Sequence, residues 1–415
     1  MIGCDRWPKR VGRSPCAPEP DNRANPSAKR PWQMEFKMQR DIFGPEHDAY
    51  RVQVRRFVEK EIEPNCLEWD QAGQVPRELW LKAGTAGLLC PGISAEHGGG
   101  GGDRMHSAIV MEEVAGAGYF GPGFGLHSDI VAPYLEAYGT AEQKAQFLPA
   151  MASGAVIGAI AMTEPGGGSD LKALTTRAEC RGDSFVLRGQ KTFITNGVMA
   201  DLILVAAKTE ADAGAHGISL FLVEGNSAGL SRGKPLRKLG MHAQDTAELF
   251  FDEVVVGREM LLGTLHGGFQ LMMKELAWER LQIAIMGAAL LENALQWTID
   301  FASARSAFGQ RLIDFQNSRF KLAEAKTQIL VARVFVDKCI SLANEGILDS
   351  ATSAAAKLWV SEIQSKILDE LLQLHGGYGY MWDYPICRAF ADTRVHRIFG
   401  GPNEVMKEII ARSLR

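Results

Sequence analysis

"SFVLRGQKTFITNG", residues 184–197, is where the chain changes its chemistry. Phenylalanine, valine, isoleucine and threonine crowd a short run, the residue types that suit a pleated strand, and Asn196-Gly197 at its end is the pair expected in a tight turn. "DLILVAA" at 201–207, "ISLFLVE" at 218–224 and "AELFFDEVVV" at 247–256 repeat the pattern. On either side the period is helical. Upstream, Tyr50, Val54, Phe57, Val58 and Ile62 keep one stripe over 46–63 until Pro64, and further helices are expected near 77–86, 104–117 and 141–152. Downstream, helical spacing holds over 272–303, 315–344 and 350–375, with Asp349-Ser350 as an N-cap and Gly376 as a stop. Helices, then strands, then long helices predict an α+β chain: an α-helical domain over 36–155, a β domain over 156–262 and an α-helical bundle over 263–415.

At 415 residues the chain can bury a large core without covalent staples. Its seven cysteines are odd in number and form no Cys-x-x-Cys pair, which points to reduced thiols and away from a zinc site. A formal net charge of −4 with 23% charged residues offers no broad basic field for nucleic acid or an anionic membrane. No apolar run reaches the ~18 residues of a spanning helix. Residues 1–35 are rich in Arg, Lys and Pro, lack any period and read as a disordered extension. That segment lacks the apolar core of a secretory signal, and a transit peptide, an expression leader and a misplaced start before Met34 or Met38 all remain open. The expected compartment is the cytoplasm of a bacterium, with the mitochondrial matrix as the alternative.

Several motif-like patterns fail on context. "GGGGG" at 98–102 has no Lys-Ser/Thr after it and reads as a loop, not a phosphate cradle. "GNSAG" at 225–229 is followed by "LSRGKPL" where a nucleophile elbow needs a helix, and "GAGYFG" at 116–121 closes a helical stretch where a Rossmann site needs a strand. The chain contains no Glu-x-x-His, so a carboxylate-bridged metal site in the bundle loses its signature. "KELAWERLQIAIMGAALL" at 274–291 is different, because Glu279 shares an apolar stripe with Ile283, Met286 and Leu290. Two readings stand: an acid near a helix start, favoured by the macrodipole, or a carboxylate whose proton affinity is raised in an apolar pocket.

"IAMTEPGGGSD" at 160–170 places Thr163 and Ser169 around three glycines that let a ligand approach the backbone. The stretch resembles the first signature of the acyl-CoA dehydrogenase flavoprotein family. "GTAEQKAQFLPAMASG" at 139–154, "KTFITNG" at 191–197, "RSAFGQRLIDFQ" at 305–316, "QLHGGYGYMWDYPI" at 373–386 and "RIFGGPNEVMKEIIAR" at 397–412 match further family motifs in order. The resemblance runs from about residue 42 to the end. "FGPEHDAYR", "AHGISLFLVE", "QDTAELFF" and "LDSAT" look most like its long-chain branch. It implies a helical N-terminal domain, a β-barrel-like middle domain and a C-terminal four-helix bundle.

The same resemblance implies FAD as cofactor and an acyl-CoA, long-chain or branched, as substrate. A base takes the α-proton while the β-hydrogen leaves as hydride to flavin N5, giving the trans-2-enoyl-CoA. Met162, Thr163, Phe193, Ile194 and Thr195 would line the isoalloxazine; Ser169 would serve FAD or the CoA arm. Arg305, Phe308, Gln316, Gln373, Gly376 and Gly377 would reach the FAD of a neighbouring subunit, which implies a homotetramer. Pro402, Asn403 and Glu404 belong to the FAD set, while Ala215, His216, Arg280, Gly400 and Gly401 belong to the acyl-CoA side. Many members carry the catalytic Glu where this chain has Gly400; the long-chain and isovaleryl branches place it immediately before an Arg, which aligns Glu279-Arg280. Glu279 would then be the base, and its own N–H, with a flavin ribityl hydroxyl, would polarise the thioester oxygen. Pro402 replaces the usual Thr, and Ala277 and Gln270 also depart from common pocket residues. Electron-transfer flavoprotein is the implied electron acceptor. The alternatives are an oxidase of the same fold that uses oxygen, and a low-turnover relative that binds nucleic acid through a basic patch.

Overall fold

The strand Ser184–Thr195 lies inside an eight-stranded sheet. The computed structural model describes residues 40–415, so the expected disorder of 1–35 lies outside the described residues. Ser184–Thr195 pairs antiparallel with Thr246–Gly257 on one side and Arg177–Arg181 on the other. Leu202–Lys208 pairs with Ile218–Glu224 and, in parallel, with Gly158–Ala161. "SFVLRG" and "KTFITNG" are thus one strand, interrupted by register shifts at Leu187/Gly189 and Lys191/Ile194. The second irregularity re-aims a side chain, as bulges do. Phe193 takes φ +58 there and, at 69% exposure, stands clear of the sheet.

Asn196-Gly197 does form a turn, with Asn196 at φ +60, but it redirects the chain instead of closing a hairpin. Asp245 explains the difference. Its carboxylate accepts from Val198 N at 3.0 Å and Met199 N at 3.3 Å, drawing the segment away from the strand it has just left.

The first helix, Pro45–Phe57, runs into a π-helical turn, Val58–Ile62, and a short 3-10 turn, Glu63–Asn65. Pro64 therefore changes the helix type without ending the helical path, because the first turn of a new segment does not need its N–H. Arg104–Gly116 and Ala141–Ala152 form as the spacing predicts, capped by Asp103 and Thr140. The sequence reading assigned no helix between them. Phe124–Leu126, the π-helical turn His127–Val131 and Ala132–Tyr138 occupy that stretch, with Pro133 at the start of the last.

Gly268–Ala304, Gln316–Asn344 and Ser350–His375 are the long bundle helices, and Asp349 caps the third by accepting from Ala351 N and Thr352 N, both at 2.8 Å. Pro385–Thr393 and Asn403–Arg412 pack on Ser350–His375. Leu281, Ile285, Leu291, Val336, Ile340, Val360, Ile367 and Leu371 share one core with Ala108, Met111 and Ala115 of Arg104–Gly116. Each large apolar side chain so buried contributes about 1.5–3 kcal/mol. A buried ion cluster fastens the same joint: Arg333 meets Glu112 at 2.8 Å and Glu292 at 2.9 Å, and Arg40 meets Glu112 at 2.7 Å.

Candidate active site

A cavity of about 570 Å³ opens where sheet, N-terminal helices and bundle meet. Met162, Thr163, Ser169, Phe193, Ile194 and Thr195 line it, and so do Glu279, Arg280, Gly400 and Gly401. Residues separated by more than two hundred positions thus share one wall. Leu88, Val110, Met111, Val114, Phe120 and Met286 make much of the remaining surface apolar.

The loop after Gly158–Ala161 is held by a buried ion pair that the sequence reading missed. Lys191 Nζ donates to Glu164 Oε1 at 2.8 Å and to Met162 O at 3.1 Å. Glu164 also accepts from Thr175 N at 2.6 Å and Thr176 N at 2.9 Å, while Thr192 N donates to Thr163 O at 2.9 Å. Burial works against both charges. Even so, Lys191 and these donors hold the Glu164 carboxyl down at about 2, while burial pulls the Lys191 ammonium down to about 8. Thr163 and the bulge carrying Phe193 are fixed to each other by this pair. The signal was available, since Lys191 falls in phase with the inward-facing Phe185 and Leu187 and so needed a partner.

Glu279 sits on Gly268–Ala304 with Ile283 one turn beyond it. Tyr134 Oη donates to Glu279 Oε1 at 3.2 Å. Burial pushes the Glu279 carboxyl up to about 7; Tyr134 and the adjacent Arg280 pull it down, while Glu275 pushes it further up. Arg280 turns its Nη1 to Ser350 Oγ at 2.9 Å. Gly400 and Gly401 take φ +63 and +89, and Lys357 Nζ anchors their turn through Gly401 O at 2.8 Å. Lys357 was not among the expected site residues.

Other expected residues lie elsewhere. Asn403 is 1% exposed and spends its side chain inward, accepting from Lys357 Nζ at 2.8 Å and donating to Glu362 Oε1 at 2.8 Å. Pro402 is the N-cap residue of Asn403–Arg412, and Glu404 is exposed on that helix's first turn. Ala215 and His216 belong to the 3-10 turn Gly214–Gly217, packed against Leu171–Ala173 at the edge of the cavity. Arg305, Phe308, Gln316, Gln373, Gly376 and Gly377 are exposed and do not line the cavity. Phe308 and Gly309, both at positive φ, form the tip between the two-residue strands Ser306–Ala307 and Gln310–Arg311. His47, Asp103 and His106, whose donor atoms cluster within 4.8 Å, act at a helix start: Asp103 Oδ1 accepts from Met105 N at 3.0 Å and His106 N at 3.2 Å.

The cavity suits a flat aromatic ring with polar edges. Phe193, Met162 and Ile194 supply apolar surface, and Thr163 and Thr195 supply hydroxyls. Solved structures with this architecture include an acyl-CoA dehydrogenase of Geobacillus kaustophilus (TM-score 0.89, 44% identity, 91% of this chain and 100% of that one) and butyryl-CoA dehydrogenase of Megasphaera elsdenii (0.85, 32%, 92% and 100%). The chain belongs to the acyl-CoA dehydrogenase family, with residues 44–155, 159–254 and 266–415 matching its N-terminal, middle and C-terminal domains. Over 377 residues it is 50% identical to the mitochondrial long-chain specific acyl-CoA dehydrogenase of Rattus norvegicus, covering 90% of this chain and 88% of the relative. It is an oxidoreductase of a FAD-dependent family that works in fatty acid β-oxidation. Among the described residues no helix is long and apolar enough to cross a membrane.

Proposed function

We propose that the chain dehydrogenates long-chain or branched acyl-CoA thioesters to trans-2-enoyl-CoA, with Glu279 as the base. The observation that carries this reading is a carboxylate inside an apolar cavity, bonded at one oxygen to Tyr134 and raised to about 7, where a proton acceptor works best near neutral pH. Glu279 accepts the α-proton, and the electron pair of the broken C–H bond becomes the new double bond as the β-hydrogen leaves with its pair. Bound FAD supplies the hydride acceptor. Met162, Thr163, Phe193, Ile194 and Thr195 hold its ring system; Ser169 and Lys172 stand on the loop edging the cavity and serve the FAD or CoA phosphates. Two other carboxylates line the space, but Asp170 caps Lys172 N at 3.1 Å and Asp129 lies beside Ser107 and Arg104.

A second copy of the chain completes the site in this reading. Phe308 is 97% exposed and Tyr380 81% exposed, and the Arg305 guanidinium lies 5.7 Å from the Tyr378 ring. Apolar exposure of that kind calls for a cover. We assign that surface, with Gln316, Gln373, Gly376 and Gly377, to the FAD of the neighbouring subunit in a homotetramer, and electron-transfer flavoprotein to the electron-accepting role.

Anaerobic mixing with a panel of straight and branched acyl-CoAs tests the reading. Flavin absorbance should bleach fastest with long or branched chains, and oxygen should reoxidise the product complex slowly compared with electron-transfer flavoprotein. A protein that cannot be loaded with FAD, or that no acyl-CoA bleaches, would overturn it.

A further inference from the structure

Two helices face each other with pairs at matching intervals. Tyr134 and Tyr138 stand four residues apart on Ala132–Tyr138, and Glu275 and Glu279 stand four apart on Gly268–Ala304, so each pair shares one face. Tyr134 Oη donates to Glu279 Oε1 at 3.2 Å; Tyr138 Oη donates to Glu275 Oε1 at 2.6 Å. The two rings meet edge to face with centroids 6.1 Å apart. Tyr134 is fully buried, whereas Tyr138 and Glu275 are half-buried. The result is a ladder of two carboxylate–phenol rungs, the inner one ending on Glu279 in the cavity wall.

We propose that Tyr134, Glu275 and Tyr138 are positioning residues for Glu279: Tyr134 fixes its Oε1, and Tyr138 holds the Glu275 carboxylate one helical turn away on the same face. This rests on the reading of Glu279 as the base. Among the described residues no donor reaches Glu279 Oε2, so the hydrogen bond to Oε1 leaves that oxygen for the α-proton. The two influences oppose each other. A hydrogen bond to the charged form lowers a carboxyl's proton affinity, and a neighbouring like charge raises it. Tyr134 acts in the first sense and Glu275 in the second, beside the larger effect of burial. The remaining charged groups around Glu279 are Arg280, turned to Ser350, and four that line the same cavity: Asp129 on the π-helical turn, Asp170 and Lys172 on the glycine-rich loop, and Arg412 on the last helix. None of them bonds to Glu279 among the described residues.

The test uses Tyr134→Phe, Glu275→Gln and Tyr138→Phe in the FAD-loaded protein. Each variant keeps the shape of the side chain it replaces, so FAD content and Tm serve as the fold check. Flavin reduction by saturating acyl-CoA is followed across about pH 5 to 9, where the acid limb reports the ionisation of the base. A second readout needs no turnover: infrared difference titration of the substrate-free protein, with the Glu279 carboxyl band identified by its loss in Glu279→Gln. Tyr134→Phe should lower kcat about tenfold with KM little changed, a modest misplacement of the base, and move the limb to higher pH by about one unit. Glu275→Gln should move both the limb and the infrared midpoint to lower pH, and Tyr138→Phe should move them less than Glu275→Gln does. Shifts of the same sign in Tyr134→Phe and Glu275→Gln, or midpoints that stay at the wild-type value, would overturn the ladder. Because the infrared midpoint follows Glu279 whether or not it is the base, that outcome is separate from failure of the parent reading, which would show as rapid flavin reduction in Glu279→Gln.

Discussion

Gly400 lies against Ile283, one helical turn beyond Glu279; a Cβ on Gly400 would come 2.5 Å from Ile283 Cδ1. The glycine and the carboxylate therefore approach one region of the cavity from different parts of the chain. In this account the α-proton can be reached from either side.

Glu279→Gly should abolish rapid flavin reduction, and adding Gly400→Glu should restore part of it. Only part is expected, because Gly400 sits at φ +63, where a side chain costs about 1–2 kcal/mol, and an error of 1 Å in placement costs about a hundredfold. Ile283 must also swing aside, narrowing the space, so rescue should favour shorter straight chains over branched ones. Stopped-flow reduction with several acyl-CoAs decides it. A folded, FAD-bound double variant no faster than Glu279→Gly would remove Gly400 from the neighbourhood of the reacting carbon.

Lys191→Met should leave Glu164 charged and unpaired in the interior and destabilise the protein by about 3–5 kcal/mol. The double variant Glu164→Gln, Lys191→Met should recover much of that loss. Since the pair holds Thr163 and the Phe193 bulge together, the single variant should also release FAD at lower denaturant than the double. Denaturation followed by flavin fluorescence checks both statements. Equal stability in the two variants would show that the pair is not coupled.

The sequence carried the order of the domains because periodicity is local: Asp349 caps its helix where the spacing said it would, and Ala141–Ala152 forms where its helical pattern lies. It carried Glu279 as well, as a charge on an apolar stripe. What it hid depends on contacts between distant segments. Tyr134 follows Pro133 in a stretch broken by glycines, which masked the short helix that points it at Glu279. Lys357 reads as an ordinary helix-surface lysine until Gly401 and Asn403, more than forty residues on, fold over it. The turn at Asn196-Gly197 was visible, but its direction is set by Asp245, which no local pattern reveals.

The proton affinity of Glu279 has a consequence for stability. Its folded value, about 7, lies above the ordinary 4.5. A carboxyl raised in this way supports folding below the unfolded value and loses that support as pH rises through the folded one. Glu279→Gln should therefore raise Tm at pH 8, and the gain should vanish below about pH 4.5, where Glu and Gln are both neutral. Thermal melts of both proteins across that range measure it. A destabilised variant at pH 8 would contradict the raised value.

The most direct test of the account is the rate of flavin reduction in Glu279→Gln, mixed anaerobically with a long-chain acyl-CoA. The variant should keep its fold, its FAD and its affinity for the thioester, because only the proton acceptor is lost. Reduction should slow by at least ~10³, within the range general bases contribute. Flavin bleaching at close to the wild-type rate would show that another group takes the α-proton, and Glu279 would be no more than a carboxylate at the wall of the cavity.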